Sequence, residues 1–413
     1  MHNDQKVLTV DMGTHKVRTT LTVFYPQRKT IITTAPSRGI KGGNIVNFQS
    51  AKDSLNSALN RLKVESHIAV PVEAYALITG AHTISYAVES KIVFPGIQAI
   101  THTEVNDVKN KAKKELLRKL GQTVRSYYDV IHIIPQEFIV DNLRGIQNPI
   151  GHNGRELTMK AFVILGAKSS IRTINSLFEK VGLKLKGVVL QSLAASYGIR
   201  DERTYLNNNL VLYMGAGTTE YLYFKEDKPV SFGYIPFGSE DVIDNLVQQL
   251  KLSRKEAEKL FLKCGSAYAF KVSKEETVNV NYGTVTRKLP RVLISALIHA
   301  QLKKLFKDVK EKLNSADKSY VSNLNRVYMT GGLAKLKDID VLAEKSFKAP
   351  AVVPDAQDTV VKDTALSPAV GVANFLYSMS SGRKLTDIKE DITKSFSEQG
   401  WLPRIRRFIM ELI

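Results

Sequence analysis

The chain is short of cysteine, tryptophan and acid. Its 413 residues include one cysteine, Cys264, and one tryptophan, Trp401. A lone cysteine excludes an intramolecular disulfide framework and any cysteine-cluster metal site. The eight histidines show no metal-ligand spacing; His132 falls in an apolar strand pattern, where a satisfied core histidine is the better reading. No Ser-His-acid arrangement is discernible. No apolar run approaches the roughly 20 residues that span a bilayer, so contact with a membrane is expected at its surface only. The opening Met1 to Lys6 lacks the apolar core of a secretory signal, which gives a cytosolic expectation. The deficit of acid, 40 Asp and Glu against 59 Lys and Arg, leaves a net charge of +19 and a pI near 9.6. Such a surplus draws a chain toward polyanions, although solvated lysine faces explain it equally well. No nucleic-acid module or aromatic-basic platform accompanies the charge, so nucleic acid is not an expected partner.

What is present is enough apolar material for sizeable cores. Hydrophobic residues make up 43% of the chain and the mean hydropathy is −0.14, over a length that predicts two or more globular units. The first unit reads as α/β. Alternating β-branched runs at Val7–Val10, Val17–Phe24 and Thr30–Thr34 precede a helical spacing at Ala51–Leu62 and a strand at Tyr75–Thr79. A lysine-rich helix over Asn106–Leu120, strands at Val130–Ile134 and Leu157–Ile164, a helix at Ser170–Val181 and a strand at Gly187–Leu190 continue the rhythm. The second unit opens with strands at Leu210–Met214 and Glu220–Lys225. A helix follows at Glu240–Gln249, then Ser253 as an N-cap with Glu256 in the first turn. A long helix at Arg291–Leu313 and a short strand at Arg326–Met329 complete it.

Two hairpins look like diverged copies of one another. In the first, Leu8-Thr9-Val10-Asp11-Met12-Gly13-Thr14 turns into Val17–Phe24. In the second, Leu210-Val211-Leu212-Tyr213-Met214-Gly215-Ala216-Gly217-Thr218-Thr219 turns into Glu220–Phe224. Glycine lets backbone N–H groups approach an anion, and threonine hydroxyls add donors, a combination that suits phosphate. Either turn alone reads more readily as a tight hairpin. A third element shifts the balance: Thr330-Gly331-Gly332-Leu333-Ala334 follows a strand directly, and its diglycine lets a flat ligand lie on the backbone.

Three such elements, in this order and in two α/β halves, resemble the actin, Hsp70 and sugar-kinase ATPase superfamily. Further stretches narrow the resemblance to the FtsA family of actin-like bacterial division proteins. These are Ile134 to Asp141, Gly145 to Gly151, Leu190 to Ser196, Ile235 to Gly238 and Glu256 to Leu260, and the likeness spans about residues 6–378. It implies an α/β, actin-like ATPase fold, two-lobed with four subdomains around a nucleotide cleft, plus a C-terminal amphipathic helix. Subdomain 1A is expected at 1–83, 163–200 and 361–378, with an inserted subdomain 1C at 84–162. Subdomain 2A is expected at 201–240 and 323–360, and 2B at 241–322. A linker at 379–399 and a membrane-targeting helix at 400–413 follow. The resemblance also implies ATP and Mg²⁺ as cofactors and head-to-tail filaments with copies of itself. Its implied partners are the C-terminal peptide of FtsZ, anionic membrane lipids and other division proteins. The implied location is peripheral, on the cytoplasmic side of the membrane at the division site.

Carried over residue by residue, the resemblance places Asp11, Gly13, Thr14, Lys16, Gly215, Gly217, Thr218, Thr219, Glu258, Gly331, Gly332 and Leu333 at the nucleotide. Asp11 would orient Mg²⁺ through its waters, and Gln191 would stand where the family has a glutamate and orient the attacking water. Departures bear on mechanism. Tyr213 stands where the family has an aspartate, and tyrosine supplies no anionic charge near neutral pH. Glu220 replaces the closing aspartate, and Phe261 an expected lysine. Backbone-mediated nucleotide binding can survive such losses, whereas hydrolysis depends on charge and water placement. The expectation is binding with slow or absent turnover, against loss of both.

Two further regions carry function. Trp401, Leu402, Ile405, Phe408, Ile409 and Leu412 fall on one side of a helix, flanked by Arg404, Arg406 and Arg407. That composition suits a helix lying in the headgroup region, as against one docked on its own domain. Burying the apolar face contributes on the order of 10 kcal/mol at most, and each arginine about 1 kcal/mol on an anionic leaflet. Ordering the tail offsets part of this, so one subunit should bind reversibly and a polymer firmly. Residues 251–320 carry 16 basic against 7 acidic side chains. The resemblance puts the FtsZ peptide there, at Arg291, Gln301, Lys303 and Lys304, with solvated lysines as the alternative. Competing readings are the pilus-assembly relative of the same fold, opposed by the terminal helix, and a small-molecule kinase, for which no sugar site is evident.

Overall fold

In the computed structural model, residues 6–24, 28–201, 204–358 and 361–381 are described. The sequence reading of an amphipathic helix at 400–413 lies outside the described residues.

The first sheet grows from alternating threonine and aliphatic positions. Strands β1 (Lys6–Met12), β2 (Lys16–Val23) and β3 (Lys29–Pro36) form an antiparallel meander, with Asp11 opposite Arg18 across the first hairpin. The short pair β4 (Ile40–Lys41) and β5 (Asn44–Ile45) follows. Helix α1 (Phe48–Ser66) is capped by the Asn47 side chain, which accepts the Ser50 N–H, and ends at His67 in the left-handed region. Its Ala51, Leu55, Ala58, Leu59 and Leu62 lie one or two turns apart and are buried, as an amphipathic helix requires. Strand β6 (Glu73–Ile78) then pairs parallel to β1.

An insertion leaves this sheet and returns to it. Its elements are β7 (Thr83–Ala99), α2 (His102–Lys119), α3 (Gly121–Tyr127), β8 (Tyr128–Val140), β9 (Leu143–Ile146) and β10 (Asn153–Ala167), in the strand order β7-β10-β8-β9. Helix α2 starts four residues earlier than the lysine pattern suggests, because Thr101 and Glu104 close a capping box. The chain re-enters the first body through α4 (Lys168–Lys180), β11 (Lys184–Leu190) and α5 (Gln191–Gly198).

The second body repeats the plan. An antiparallel meander, β12 (Asn209–Met214), β13 (Thr219–Lys225) and β14 (Lys228–Ile235), is followed by α6 (Ser239–Leu250) and α7 (Arg254–Cys264). The hairpin β15 (Thr277–Tyr282) and β16 (Val285–Pro290) leads into α8 (Arg291–Ala316) and α9 (Ser319–Ser322). Strand β17 (Arg326–Thr330), helix α10 (Ile339–Phe347), strand β18 (Ala351–Val352) and helix α11 (Ser367–Ser381) close the described fold. Helix α11 continues through Ser381, so the stretch read as a linker from 379 begins as helix.

The sheet orders β11-β6-β1-β2-β3 and β14-β13-β12-β17-β18 are the same topology written in opposite directions. Each is a three-stranded meander extended by two parallel strands. Between the sheets, Leu77, Val189, Leu193, Val211, Leu222 and Phe375 form a shared core. Helices α5 and α11 cross there backbone to backbone. A β-carbon on Gly371 would lie 1.7 Å from the Ala194 carbonyl oxygen, and one on Gly198 1.9 Å from that of Ser367. This crossing fixes α5, and with it Gln191, against the second body.

Candidate nucleotide-binding cleft

The two glycine turns face each other at the mouth of the cleft. A β-carbon on Gly217 would sit 2.8 Å from Gly42 Cα and 3.1 Å from Thr14 Oγ1. Only glycine permits that approach of the second turn to the first and to the β4–β5 turn. The second turn is closed by the Gly215 N–H donating to the Thr218 carbonyl at 2.8 Å. Its carbonyls at Gly215 and Ala216 accept the N–H groups of Ser239 and Glu240 at 3.2 and 2.9 Å, which seats α6 on the turn. Gly13 is required in the first turn, where a β-carbon would meet the Lys16 carbonyl at 2.8 Å. Thr14 is half-buried, Lys16 exposed and Thr218 buried.

Beneath the turns lies a buried polar floor. Asp11, at the end of β1, accepts from Arg18 Nη1 at 2.8 Å through Oδ2. Gln191 Nε2 donates to the Tyr213 hydroxyl at 2.9 Å and reaches Asp11 Oδ1 at 3.3 Å. Glu220, fully buried, accepts the Gly80 N–H at 2.7 Å and the Ser192 N–H at 3.0 Å, one on each carboxylate oxygen. Burial raises the Asp11 carboxyl above its ordinary value, with Arg18 working the other way. Burial pushes Glu220 up to about 7 even though its N–H donors favour the charged form. The Tyr213 phenol is driven far above its usual range, chiefly by burial, and is neutral at any ordinary pH. Burial opposes the charge of Arg18, but Asp11 beside it wins and the guanidinium holds its proton more tightly than usual.

The third element closes the far side. Gly331 has φ of 98°, and a β-carbon there would meet the Met214 carbonyl oxygen at 2.4 Å, so the turn demands glycine. A β-carbon on Gly332 would meet nothing within 4 Å, which leaves that backbone open to a ligand. Two residues assigned to the nucleotide from sequence face inward instead. Thr219 is fully buried and its hydroxyl donates to the Phe237 carbonyl at 2.9 Å. Leu333 is fully buried in the hydrophobic core of the second body, with Leu246, Leu302 and Phe306. Phe261 also lies in that core. Glu258 is on α7 and accepts from Arg254 at 3.2 Å; Arg254 also pairs with Glu240 and Asp244. Across the mouth, His15 Nε2 lies 2.5 Å from Glu240 Oε1.

Mg²⁺ keeps its waters and needs carboxylate oxygens free to receive them. The donor set does not fit that demand. Both Asp11 oxygens are taken by side chains and both Glu220 oxygens by backbone amides. Asp363 accepts from Lys335 Nζ and the Ala365 N–H, and Tyr213 contributes no charge. Among the described residues, no group of three or more His, Cys, Asp or Glu could hold a metal ion.

Arg18 was missed by motif reading because it looks like one polar position in an alternating strand. Counting outward from the turn would have placed it opposite Asp11. His132 is the satisfied core histidine expected: its Nε2 accepts the Leu190 N–H at 3.1 Å, and burial lowers its pKa to about 4.

At the basic segment, the expected peptide residues divide. Lys303 and Lys304 are exposed on α8 and Gln301 is half-buried. Arg291 is committed elsewhere, donating from Nε to the Cys264 carbonyl at 2.8 Å and pairing with Glu276. One turn before Lys303, His299 packs against Tyr268 and Phe270, whose ring is 81% exposed. The sequence gives no sign of this aromatic patch, since Tyr268 and Phe270 lie in and beside a single 3-10 turn (Ala269–Lys271) too short for apolar periodicity.

Comparison with known proteins finds likeness to cell-division proteins. The family model described as "Cell division protein FtsA" matches residues 210–371, and that described as "SHS2 domain inserted in FTSA" matches 80–165. A curated relative, cell division protein FtsA of Borreliella burgdorferi, is 26% identical over 96% of this chain and 97% of its own length. Among solved structures, the PilM-PilN type IV pilus biogenesis complex aligns with TM-score 0.62 at 13% identity, covering 90% of this chain and 98% of that one. MreB5 of Spiroplasma citri, solved bound to ADP, aligns with TM-score 0.54 at 12% identity, covering 94% and 99%. These structural likenesses establish the actin-like fold.

Proposed function

We propose that this chain, which belongs to the FtsA family of cell-division proteins, binds ATP in its central cleft with slow or absent turnover and tethers FtsZ filaments to the cytoplasmic face of the membrane at the division site. The observation that carries the nucleotide reading is the approach of the two glycine turns, with a β-carbon at Gly217 only 2.8 Å from Gly42 Cα. Backbone that close, with Thr14 and Lys16 at its rim and the open Gly332 opposite, suits a polyphosphate carrying a flat base. The related MreB5 fold, solved with ADP, agrees with that use.

Slow turnover follows from the floor. Orienting an attacking water calls for a polar side chain free to hold it. The Gln191 amide nitrogen is held between the Tyr213 hydroxyl and Asp11. The neutral phenol adds no anionic anchor. Phosphoryl chemistry depends on such placement more than on affinity for the ground state.

Tethering rests on two surfaces. Lys303 and Lys304, exposed about one turn along α8 from the His299 that packs on the exposed Phe270, suit an extended acidic peptide with an apolar anchor, as the FtsZ tail would be. The stripe Trp401, Leu402, Ile405, Phe408, Ile409 and Leu412, with its three arginines, suits an anionic leaflet. No described helix is long and apolar enough to cross a membrane, in keeping with a peripheral attachment. Self-assembly into filaments would multiply a weak anchor into a firm one. A pilus-assembly role is the alternative within the same fold, and the terminal stripe weighs against it.

Pelleting with anionic liposomes and ATP tests the reading. The full chain should carry FtsZ into the pellet, and removal of residues 400–413 should leave both proteins in the supernatant. Lys303→Glu with Lys304→Glu should leave the chain on the vesicles and release FtsZ. Persistent vesicle binding without the tail would refute the anchor.

A further inference from the structure

The first hairpin carries its own cation at the place where a bound polyphosphate would need one. The Arg18 guanidinium lies under the first glycine turn, with Nη1 3.5 Å from where a β-carbon of Gly13 would stand. Its Nη1 neutralises Asp11 at 2.8 Å, while its Nε is buried and has no hydrogen-bond acceptor. A buried guanidinium N–H without an acceptor is costly, and a phosphate oxygen is the acceptor whose geometry a guanidinium matches best.

In acid-rich clefts a divalent cation bridges the phosphates and the carboxylates that would otherwise repel them. Here that repulsion is already removed. Asp11 is paired with Arg18, Glu220 is enclosed by two backbone amides, Asp363 is paired with Lys335, and the fourth position is the neutral Tyr213. Glu240 and Glu258 at the mouth are held by Arg254. The cationic side is open in the same place: Lys16 is exposed beside the first turn, two residues from Arg18 on the same face of β2. Charge that the metal would bring is supplied by the chain itself.

We propose that Arg18 takes the place of the divalent cation, so that this cleft binds a nucleoside triphosphate without Mg²⁺. The inference rests on the nucleotide reading given above and goes beyond it in stating which cation meets the phosphates. It predicts that a chelator leaves binding intact, whereas loss of the guanidinium frees Asp11 and creates a requirement for metal.

Equilibrium dialysis of the full chain against labelled ATP, in Mg²⁺ and in EDTA, decides the matter. Affinity in EDTA should stay within about threefold of that in Mg²⁺, since no bridging metal is removed. Arg18→Gln should weaken binding in EDTA by about tenfold or more, the usual worth of a charge-assisted hydrogen bond, and Mg²⁺ should restore part of it. Arg18→Lys should keep metal-free binding. The wild-type comparison stands even if Arg18→Gln fails to fold. Binding by the wild type only in Mg²⁺ would overturn the role of Arg18. Absence of binding under both conditions would instead overturn the nucleotide reading itself.

Discussion

Replacing Glu220 by glutamine isolates one displaced ionisation in the cleft. The carboxylate is fully buried and its partners are the neutral backbone amides of Gly80 and Ser192, which belong to the first body while Glu220 belongs to the second. Burial lifts its pKa from 4.5 to about 7. The folded chain therefore holds this proton more tightly than the unfolded chain does. The stability so gained is fully present below about pH 4.5 and is lost as pH rises through about 7. That interval corresponds to about 3 kcal/mol at 1.36 kcal/mol per pH unit. Glutamine resembles the protonated acid in shape and cannot ionise, so it lacks this loss. Its amide nitrogen opposes one of the two N–H donors and costs about 1–3 kcal/mol at every pH. The informative quantity is thus the change in the difference between variant and wild type. Urea unfolding followed by circular dichroism should show Glu220→Gln gaining about 3 kcal/mol on the wild type between about pH 4.5 and pH 8.5. A difference constant across that range would refute the reasoning, because Glu220 would then titrate with ordinary carboxylates.

Two further positions probe how the floor is held. His132→Leu removes the acceptor of the Leu190 N–H, immediately before Gln191, and should cost about 1–3 kcal/mol. His132→Gln, which can still accept, should recover most of that in the same unfolding assay; equal losses would show that ring packing alone matters. Gly371→Ala forces α5 and α11 apart at a contact of 1.7 Å, and should cost about 1–3 kcal/mol or more. Because α5 carries Gln191, the same variant should also weaken nucleotide binding, and an unchanged melting temperature with unchanged binding would defeat the claim.

Much of this architecture is legible in sequence where one physical demand governs. The apolar spacing of α1 and α8, and the β-branched alternation of β1 to β3, each report burial on one face. Strand β7 was not legible: Val93 and Ile97 point outward at 70% and 74% exposure, and Pro95-Gly96 reads as a turn. The hairpin β15–β16 hid in the same way, since most of its positions are exposed. At the site the glycines of the three turns are legible, and at Gly13, Gly217 and Gly331 close backbone approach leaves no other residue type. Which neighbouring side chains reach the cleft is not legible, since spacing gives the turn and not the facing direction. Spacing alone thus sends Thr219 and Leu333 to a ligand, whereas their side chains face a carbonyl and the core.

Register supplies what motif matching omits. The two hairpins are equivalent, and directly opposed positions are neighbours on one face of the sheet. In the first hairpin Asp11 stands opposite Arg18; in the second Tyr213 stands opposite Glu220. The first holds an acid neutralised by its own cation, and the second a neutral phenol beside an acid that burial drives toward protonation. Gln191 joins the two through a single amide nitrogen. A floor built this way can stay electrically balanced without a divalent ion, and it holds the Gln191 amide nitrogen between two partners. The neutral phenol and the acid-paired arginine therefore act together, so placing an acid at position 213 alone would introduce a repulsion that the present pairing avoids.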